Sequence, residues 1–544
     1  MIRIVSVEQI REIEAVADRA SLSYATMMQN AGRAAAERAK IILAGLSGAP
    51  KVTVLVGPGN NGGDALVVSK LLAQETQAQV RVYLTKPRAN DDPLMSGILA
   101  ANIFVAHAAE DLNFQVLINL IVESNMVIDG LFGIGLRLPI KDEPANLLHA
   151  LEIALHKYKT INAASRAFLE TPAEPHPPAA RPPFIFALDC PSGLNCDTGE
   201  IDQHSLHADE TITFIAPKPG LLKFPGAAAV GKLTVASIGV PPNISMHSQS
   251  DAYIVTADDI REKLPPRNSN SNKGTYGKLL IVGGSAQYTG APTLAAHAAY
   301  RAGAGLVTVA VPASILPDIR GTLLEATWVG LREKDGALDQ NASTEVTIQS
   351  ANFDSLLIGP GLSRAAGDFI TFFLNEAANL KNLVIDADGL NLMSEIENWW
   401  TYLPGDTILT PHPGEMGRLC SLTTAEVQSR RWELAAAKAA AWNTIIVLKG
   451  AHTVIAFPNG QTAILPFKTS ALATAGTGDV LAGVIAGLLA QGVMPFDAAQ
   501  IGGYLHGLAG VKVAETIGER ASTAHDISKA LSTAWCAIEG GHNA

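Results

Sequence analysis

Residues 51–69 read KVTVLVGPGNNGGDALVVS. The unbroken β-branched and apolar run Lys51–Val56 predicts a strand buried on both faces, the pattern of a parallel sheet covered by helices rather than of a half-exposed one. Gly57, Gly59, Gly62 and Gly63 follow directly, and glycine permits positive-φ turns and close approach of a ligand to the backbone. A helical stretch, Gly63–Gln77, comes next, and its first N–H groups and dipole suit an anion. Asn60, Asn61 and Asp64 add oxygen donors suited to a hard cation or to ribose hydroxyls. A tight turn that holds no ligand is the plain alternative.

Outward from this stretch the same rhythm continues. Val80–Leu84 (VRVYL), Met126–Ile128 and Phe184–Leu188 (FIFAL) read as strands between Ala/Leu-rich helical segments. It restarts at Lys278–Val282 (KLLIV) and runs through Gly305–Val311, Ser355–Ile358, Asn382–Ile385, Thr407–Leu409 and Thr444–Leu448. Alternating strands and helices predict an α/β chain with two three-layer α/β/α domains and mainly parallel sheets. The boundary falls near 241–256, giving domains 1–243 and 251–544. A Pro- and Ala-rich stretch, TPAEPHPPAARPP at 171–183, lies between a helix and a strand and reads as a surface insertion.

Composition removes several classes. The 544 residues are 48% hydrophobic and 17% charged, which is globular rather than disordered. A formal charge of −11 argues against a broad nucleic-acid face. Cys190, Cys196, Cys420 and Cys536 show no metal-ligand spacing; one disulfide between the first two is conceivable, and reduced thiols are the better reading. The most apolar stretch, Val480–Met494, is too short to span a membrane and follows a Gly-rich loop, so it reads as a buried helix. The charged N-terminus has no apolar signal core, and the sequence predicts a cytoplasmic protein with no membrane or nucleic-acid partner.

Other strand ends carry chemistry too. VIDGLFGIGL (127–136) places Asp129 before a Gly-rich turn, and ALDCPSGLNCDTG (187–199) places Asp189 and Ser192 at another. In an open parallel sheet, ligands bind outside the strands' carboxyl ends, although any one Asp there can instead cap a helix. In the second half, ATAGTGDVLAG (473–483) predicts an anion hole built from Gly476, Gly478 and a helix N-terminus. Asp479 beside it can accept a proton from an attacking hydroxyl, or merely cap the helix. VLKGAHT (447–453) ends a strand with Lys449 and Gly450, and TPHPGE (410–415) sets His412 and Glu415 in a rigid loop. IGPGL (358–362) and IDADGLN (385–391) supply two further turns, where Asp386 and Asp388 position a cation or cap the turn. No GxxxxGK[ST] is present, which excludes a P-loop enzyme.

NNGGD, VIDGLFGIGL and LDCPSG, followed by IAPKPGLL (215–222), resemble in order the NAD(P)H-hydrate epimerase family over residues 1–243. That resemblance implies a Rossmann-like domain. Asn60, Asn61, Gly62, Gly63 and Asp64, with Gly133, Ile134, Gly135, Leu136, Arg137, Leu138 and Pro139, would contact the hydrated dinucleotide. Asn61, Asp129 and Ser192 would hold K+, and Asp189 would bind substrate and transfer the proton. Ala65 stands where the family often has Gly.

GGSAQYTGAP (283–292), IGPG, HPGE, KGAHT and GTGD in sequence resemble the ADP-dependent NAD(P)H-hydrate dehydratase family, a ribokinase-like branch. By that resemblance Ala291, Gly361, His412 and Asp479 would touch the hydrated dinucleotide, with Asp479 as base. Lys449, Gly450, Ala451, His452, Thr453 and Gly478 would bind ADP, the co-substrate, with Mg2+ bridging its phosphates. Ala475 replaces a glycine common among relatives. Together the resemblances imply epimerisation of R and S NAD(P)HX, ADP-dependent dehydration of the S form to NAD(P)H, AMP and phosphate, and self-association. The rival is a ribokinase-like small-molecule kinase fused to a nucleotide-binding scaffold module. HPGE and KGAHT count against the kinase, and retention of Asp129, Asp189 and Ser192 counts against the scaffold.

Overall fold

The computed structural model describes residues 1–544 apart from 46–47, 90, 165–181, 242–243, 245–250 and 541–544. The insertion expected at 171–183 thus lies almost wholly, and the boundary expected at 241–256 in part, outside the described residues. Contacts divide the chain into Arg3–Ser250 and a second unit, Asp251–Ala544 together with Met1 and Ile2.

After the short β1 (Ile2–Arg3) come β2 (Lys51–Val56), β3 (Gln79–Leu84), β4 (Phe104–His107), β5 (Met126–Gly130), β6 (Phe184–Leu188), β7 (Glu210–Phe214) and β8 (Lys232–Ala236). The last seven form one sheet, ordered β4-β3-β2-β5-β6-β7-β8, with every pairing parallel. The continuous apolar run in β2 has the reason predicted for it: Val52, Val54 and Val56 enter one core and Leu55 the opposite one. Strand order reverses between β2 and β5, which puts the switch-point crevice beside Gly57 and Asp129.

The second unit holds β9 (Ala252–Ile254), β10 (Lys278–Val282), β11 (Leu306–Pro312) and β12 (Thr327–Leu331), then a separate small hairpin of β13 (Glu333–Lys334) and β14 (Ala337–Leu338). It continues with β15 (Ser355–Ile358), β16 (Leu383–Ile385), β17 (Ile408–Leu409), β18 (Ile445–Leu448), β19 (Val454–Ala456) and β20 (Thr462–Ile464). The main sheet is ordered β1-β9-β20-β19-β18-β17-β16-β15-β10-β11-β12. From β12 to β18 it is parallel, and β19 runs antiparallel to both neighbours. Here the order reverses between β10 and β15. Of the stretch expected as a buried helix, Val480–Ala490 is helical and buried throughout, whereas Gln491–Met494 lie beyond the helix end and Met494 is exposed. No helix among the described residues is long and apolar enough to cross a membrane.

Two local expectations need correction. The helix after β2 runs from Asn60 to Glu75, so NNGGD is its first turn rather than a loop before it. None of Gly57, Gly59, Gly62 and Gly63 adopts positive φ. Gly57 and Gly62 are required by crowding instead: a Cβ on Gly62 would lie 1.9 Å from the carbonyl oxygen of Gly57.

Candidate active sites

At the N-terminal switch point a cavity of about 900 Å³ opens. Its lining includes Asn60, Asn61, Asp64, Gly133, Ile134, Gly135, Leu136, Arg137 and Asp189. Gly62 and Gly63 lie behind this wall, packed on Gly57 and Met28. Leu138 and Pro139 are not among the lining residues.

Asp189 leaves the end of β6 with φ +65°, a strained conformation for a side-chain-bearing residue, and its N–H donates to Ile212 O at 2.7 Å. Its Oδ1 receives Lys218 Nζ at 2.6 Å and Thr213 Oγ1 at 3.2 Å. Lys218 is 1% exposed and also donates to Thr213 Oγ1 at 2.8 Å and to Phe214 O at 3.3 Å. Buried ammonium and carboxylate thus hold each other in one geometry. Asp64 and Glu14 line the same cavity. Burial, and then the Asp189 charge, push the carboxyl of Asp64 well above the usual range and that of Glu14 upward.

Behind the cavity, Asp129 is fully buried. It accepts from Ser192 N at 2.7 Å, Ser192 Oγ at 2.6 Å and Leu131 N at 3.2 Å, and burial raises its pKa. The amide of Asn61 donates to Phe132 O and to Leu188 O, each at 3.0 Å, while its Oδ1 is buried with no hydrogen-bond partner. A buried acceptor without a donor is costly in a folded protein.

The second site assembles at the carboxyl ends of β16, β17 and β18. Lys449 Nζ lies 2.7 Å from Asp386 Oδ1 and 3.6 Å from Glu415 Oε2. The glycine turn sits above this pair: a Cβ on Gly478 would be 3.2 Å from Lys449 Nζ and 3.9 Å from Asp386 Oδ2. Gly476, at φ +89°, starts the helix in the left-handed region. Burial and then Asp386 push Asp479 up to about 8, and burial pushes Glu415 up to about 7. Asp386 Oδ2 is buried without a partner, whereas Asp388 accepts from Ser363 N at 2.9 Å and so caps its turn.

The HPGE segment is less of a loop than its composition suggests. His412 caps the helix Pro413–Cys420, its Nδ1 accepting from Gly414 N at 3.0 Å and from Glu415 N at 3.4 Å. Half of its side chain stays exposed. Burial, followed by the Lys449 charge, lowers its pKa. Ala291 faces the turn at Gly361, where a Cβ would come within 3.2 Å of it. Arg431 Nη2 supports the strand end beneath Gly450, donating to Leu448 O and Lys449 O at 3.1 Å each. Thr453 Oγ1 donates to Gly450 O at 2.8 Å, and Ala451 is exposed. His452 stands apart: it is 6% exposed, with Nδ1 3.1 Å from Leu465 O.

Lys218 and Glu14 escape the sequence reading. The first sits inside the quoted IAPKPGLL without being singled out there, and the second lies in a charged N-terminal helix.

Two mainly parallel sheets, each with carboxylates and a glycine-framed helix at its strands' carboxyl ends, define a two-domain α/β enzyme. Residues 24–220 match the family described as YjeF-related protein N-terminus, and residues 279–533 match NAD(P)H-hydrate dehydratase. The bifunctional NAD(P)H-hydrate repair enzyme Nnr of Moorella thermoacetica is 38% identical, covering 92% of this chain and 90% of its own. That of Coxiella burnetii is 33% identical over 95% of this chain and 96% of its own. The crystal structure of the ADP/ATP-dependent NAD(P)H-hydrate dehydratase from Bacillus subtilis, with ATP and Mg2+, is 32% identical and covers 53% of this chain and 98% of its own, with a TM-score of 0.46. The chain belongs to the bifunctional NAD(P)H-hydrate repair enzyme family.

Proposed function

We propose that this enzyme returns hydrated NAD(P)H to use in two steps, with epimerisation at the N-terminal cavity and ADP-dependent dehydration at the C-terminal site. Residues 1–243 and 251–544 would carry one activity each. The observation that carries this reading is Asp479, a half-buried carboxyl at the head of a glycine-turned helix and beside the Lys449–Asp386 pair.

Hydration leaves a hydroxyl at C6 of the nicotinamide ring, and hydroxide is a poor leaving group. In dehydration, Asp479 takes the hydroxyl proton while the oxygen attacks the β-phosphoryl group of ADP, releasing AMP. The N–H groups at Gly476–Asp479 and the Lys449 ammonium offset the transferring charge. Phosphate then leaves C6 with the C–O electron pair and C5 gives up a proton, which restores the C5–C6 double bond of the dihydronicotinamide. Asp386 Oδ2, buried and unpartnered, is a donor available to Mg2+, which when bound would neutralise phosphate charge.

For epimerisation, the hydroxyl and ring nitrogen share C6, so the centre is a carbinolamine. Asp189, oriented by Lys218 and Thr213, takes the hydroxyl proton. The C6–N1 bond breaks with its electron pair going to nitrogen, which takes a proton from Asp64, whose carboxyl burial pushes well above its usual range. The resulting aldehyde turns about C5–C6, and reclosure on the other face returns both protons. Asn61, Asp129 and Ser192 fit K+, because Asn61 Oδ1 lacks a donor and Asp129 is buried without a cation. The ion would supply positive charge beneath the substrate loops. The four unpaired thiols support a reducing, cytoplasmic setting.

Mixed R and S epimers of hydrated NADH with ADP, followed by the return of NADH absorbance, test both roles. Asp479→Asn is expected to abolish recovery of either epimer. Asp189→Asn is expected to repair the S form normally and the R form only at its uncatalysed rate. Full recovery by Asp479→Asn would remove the assigned base.

A further inference from the structure

The helix Asp142–Ala164 carries His149, Glu152 and His156 at spacings of three and four, on one face. A fourth group approaches from the loop after β6: His204 Nδ1 lies 2.8 Å from Glu152 Oε2. His149 Nδ1 is 3.6 Å from that same oxygen, and His156 Nε2 is 3.7 Å from Glu152 Oε1. The rings of His149 and His204 tilt against each other with centroids 4.7 Å apart. None of these residues is among those lining the N-terminal cavity.

We propose that His149, Glu152 and His204 form a site for a divalent transition metal, Zn2+ foremost, which clamps the loop to the helix. One ligand atom from each lies within 4.8 Å of the others. Tetrahedral Zn2+ with bonds of about 2.1 Å sets its ligands about 3.4 Å apart, so side-chain rotation alone closes the gap. Two imidazoles and one carboxylate are a borderline donor set that selects Zn2+, Ni2+ or Cu2+ over Mg2+, which prefers oxygen. The loop side is already fixed: Asp202 accepts from His204 N at 3.1 Å and from Ile140 N at 3.0 Å. The fourth position falls to water or to His156.

The test uses full-length, tag-free protein stripped with a chelator and titrated with Zn2+ in excess Mg2+, by calorimetry, with the visible spectrum of Co2+ as a second readout. One Zn2+ per chain is expected to bind and to raise the unfolding midpoint. His149→Gln, on an exposed helix position, and His204→Ala are each expected to weaken binding at least about tenfold, as loss of a ligand outweighs loss of its supporting partner. Both should remove the Zn2+-dependent rise in midpoint, with metal-free midpoints near wild type. Cys536→Ser should bind as wild type does. No bound Zn2+, unchanged affinity in His149→Gln and His204→Ala, or loss of binding in Cys536→Ser would each overturn the site.

Discussion

At the residue scale, Asp479 must be ionised to accept a proton, and its pKa is pushed up to about 8. Dehydratase kcat/KM is therefore expected to climb with pH and level off above about 8, because that ratio reports the free enzyme. Removing the Asp386 charge relieves repulsion, so Asp386→Asn should move the acid limb to lower pH, measured as the midpoint of the profile. Asp64 shows the same physics as a stability effect. Its folded pKa is raised, so the folded chain binds more protons than the unfolded one above the ordinary carboxyl range, and stability falls as pH rises. Asp64→Asn escapes that loss. Its stability gain over wild type, read from denaturant midpoints, should be larger at pH 8 than at pH 5. Asp129, Asp189 and Asp479 are legible in sequence because each closes a strand or opens a helix beside glycine. Lys218 is not, because nothing in KPG announces that a lysine will be 1% exposed and bonded to an aspartate across a strand end.

At the scale of elements, β2 and the helix after it are one unit. The Gly62 Cα faces the Gly57 carbonyl so closely that a Cβ has no room. Gly62→Ala should destabilise the N-terminal unit by about 1–3 kcal/mol through overpacking, seen in thermal unfolding, and cut epimerisation while leaving dehydration of the S form intact. The strands read from sequence were apolar runs, long ones such as β2, β6 and β10 and short ones such as β16 and β17, where burial on both faces removes polar residues. Missed were β7, five residues in which Glu210, Thr211 and Thr213 break the apolar run, and β19 and β20, three residues each. The helix start was misplaced by three residues, because glycines that serve close packing look like glycines that serve a turn.

At the scale of the molecule, each sheet has its own core. Val52, Val54 and Val56 pack in a cluster drawn from the N-terminal unit alone, and Leu279 and Ile281 in one drawn from the second unit. Each can therefore position its own carboxylates. Two domains were readable from the restart of the strand–helix rhythm, but the passage of Met1 and Ile2 to the second unit was not. Two residues carry no periodicity.

The helix Thr477–Ala490 has the glycine turn at its head and eleven successive buried residues behind it, Val480 to Ala490. Such a keel leaves no soft intermediate in which the catalytic end loosens while the body holds. Heat should silence dehydration only where the surrounding apolar mass gives way. Amide deuteration at residues 480–490 should be among the slowest in the chain, and the half-life of activity should follow the loss of near-ultraviolet dichroism.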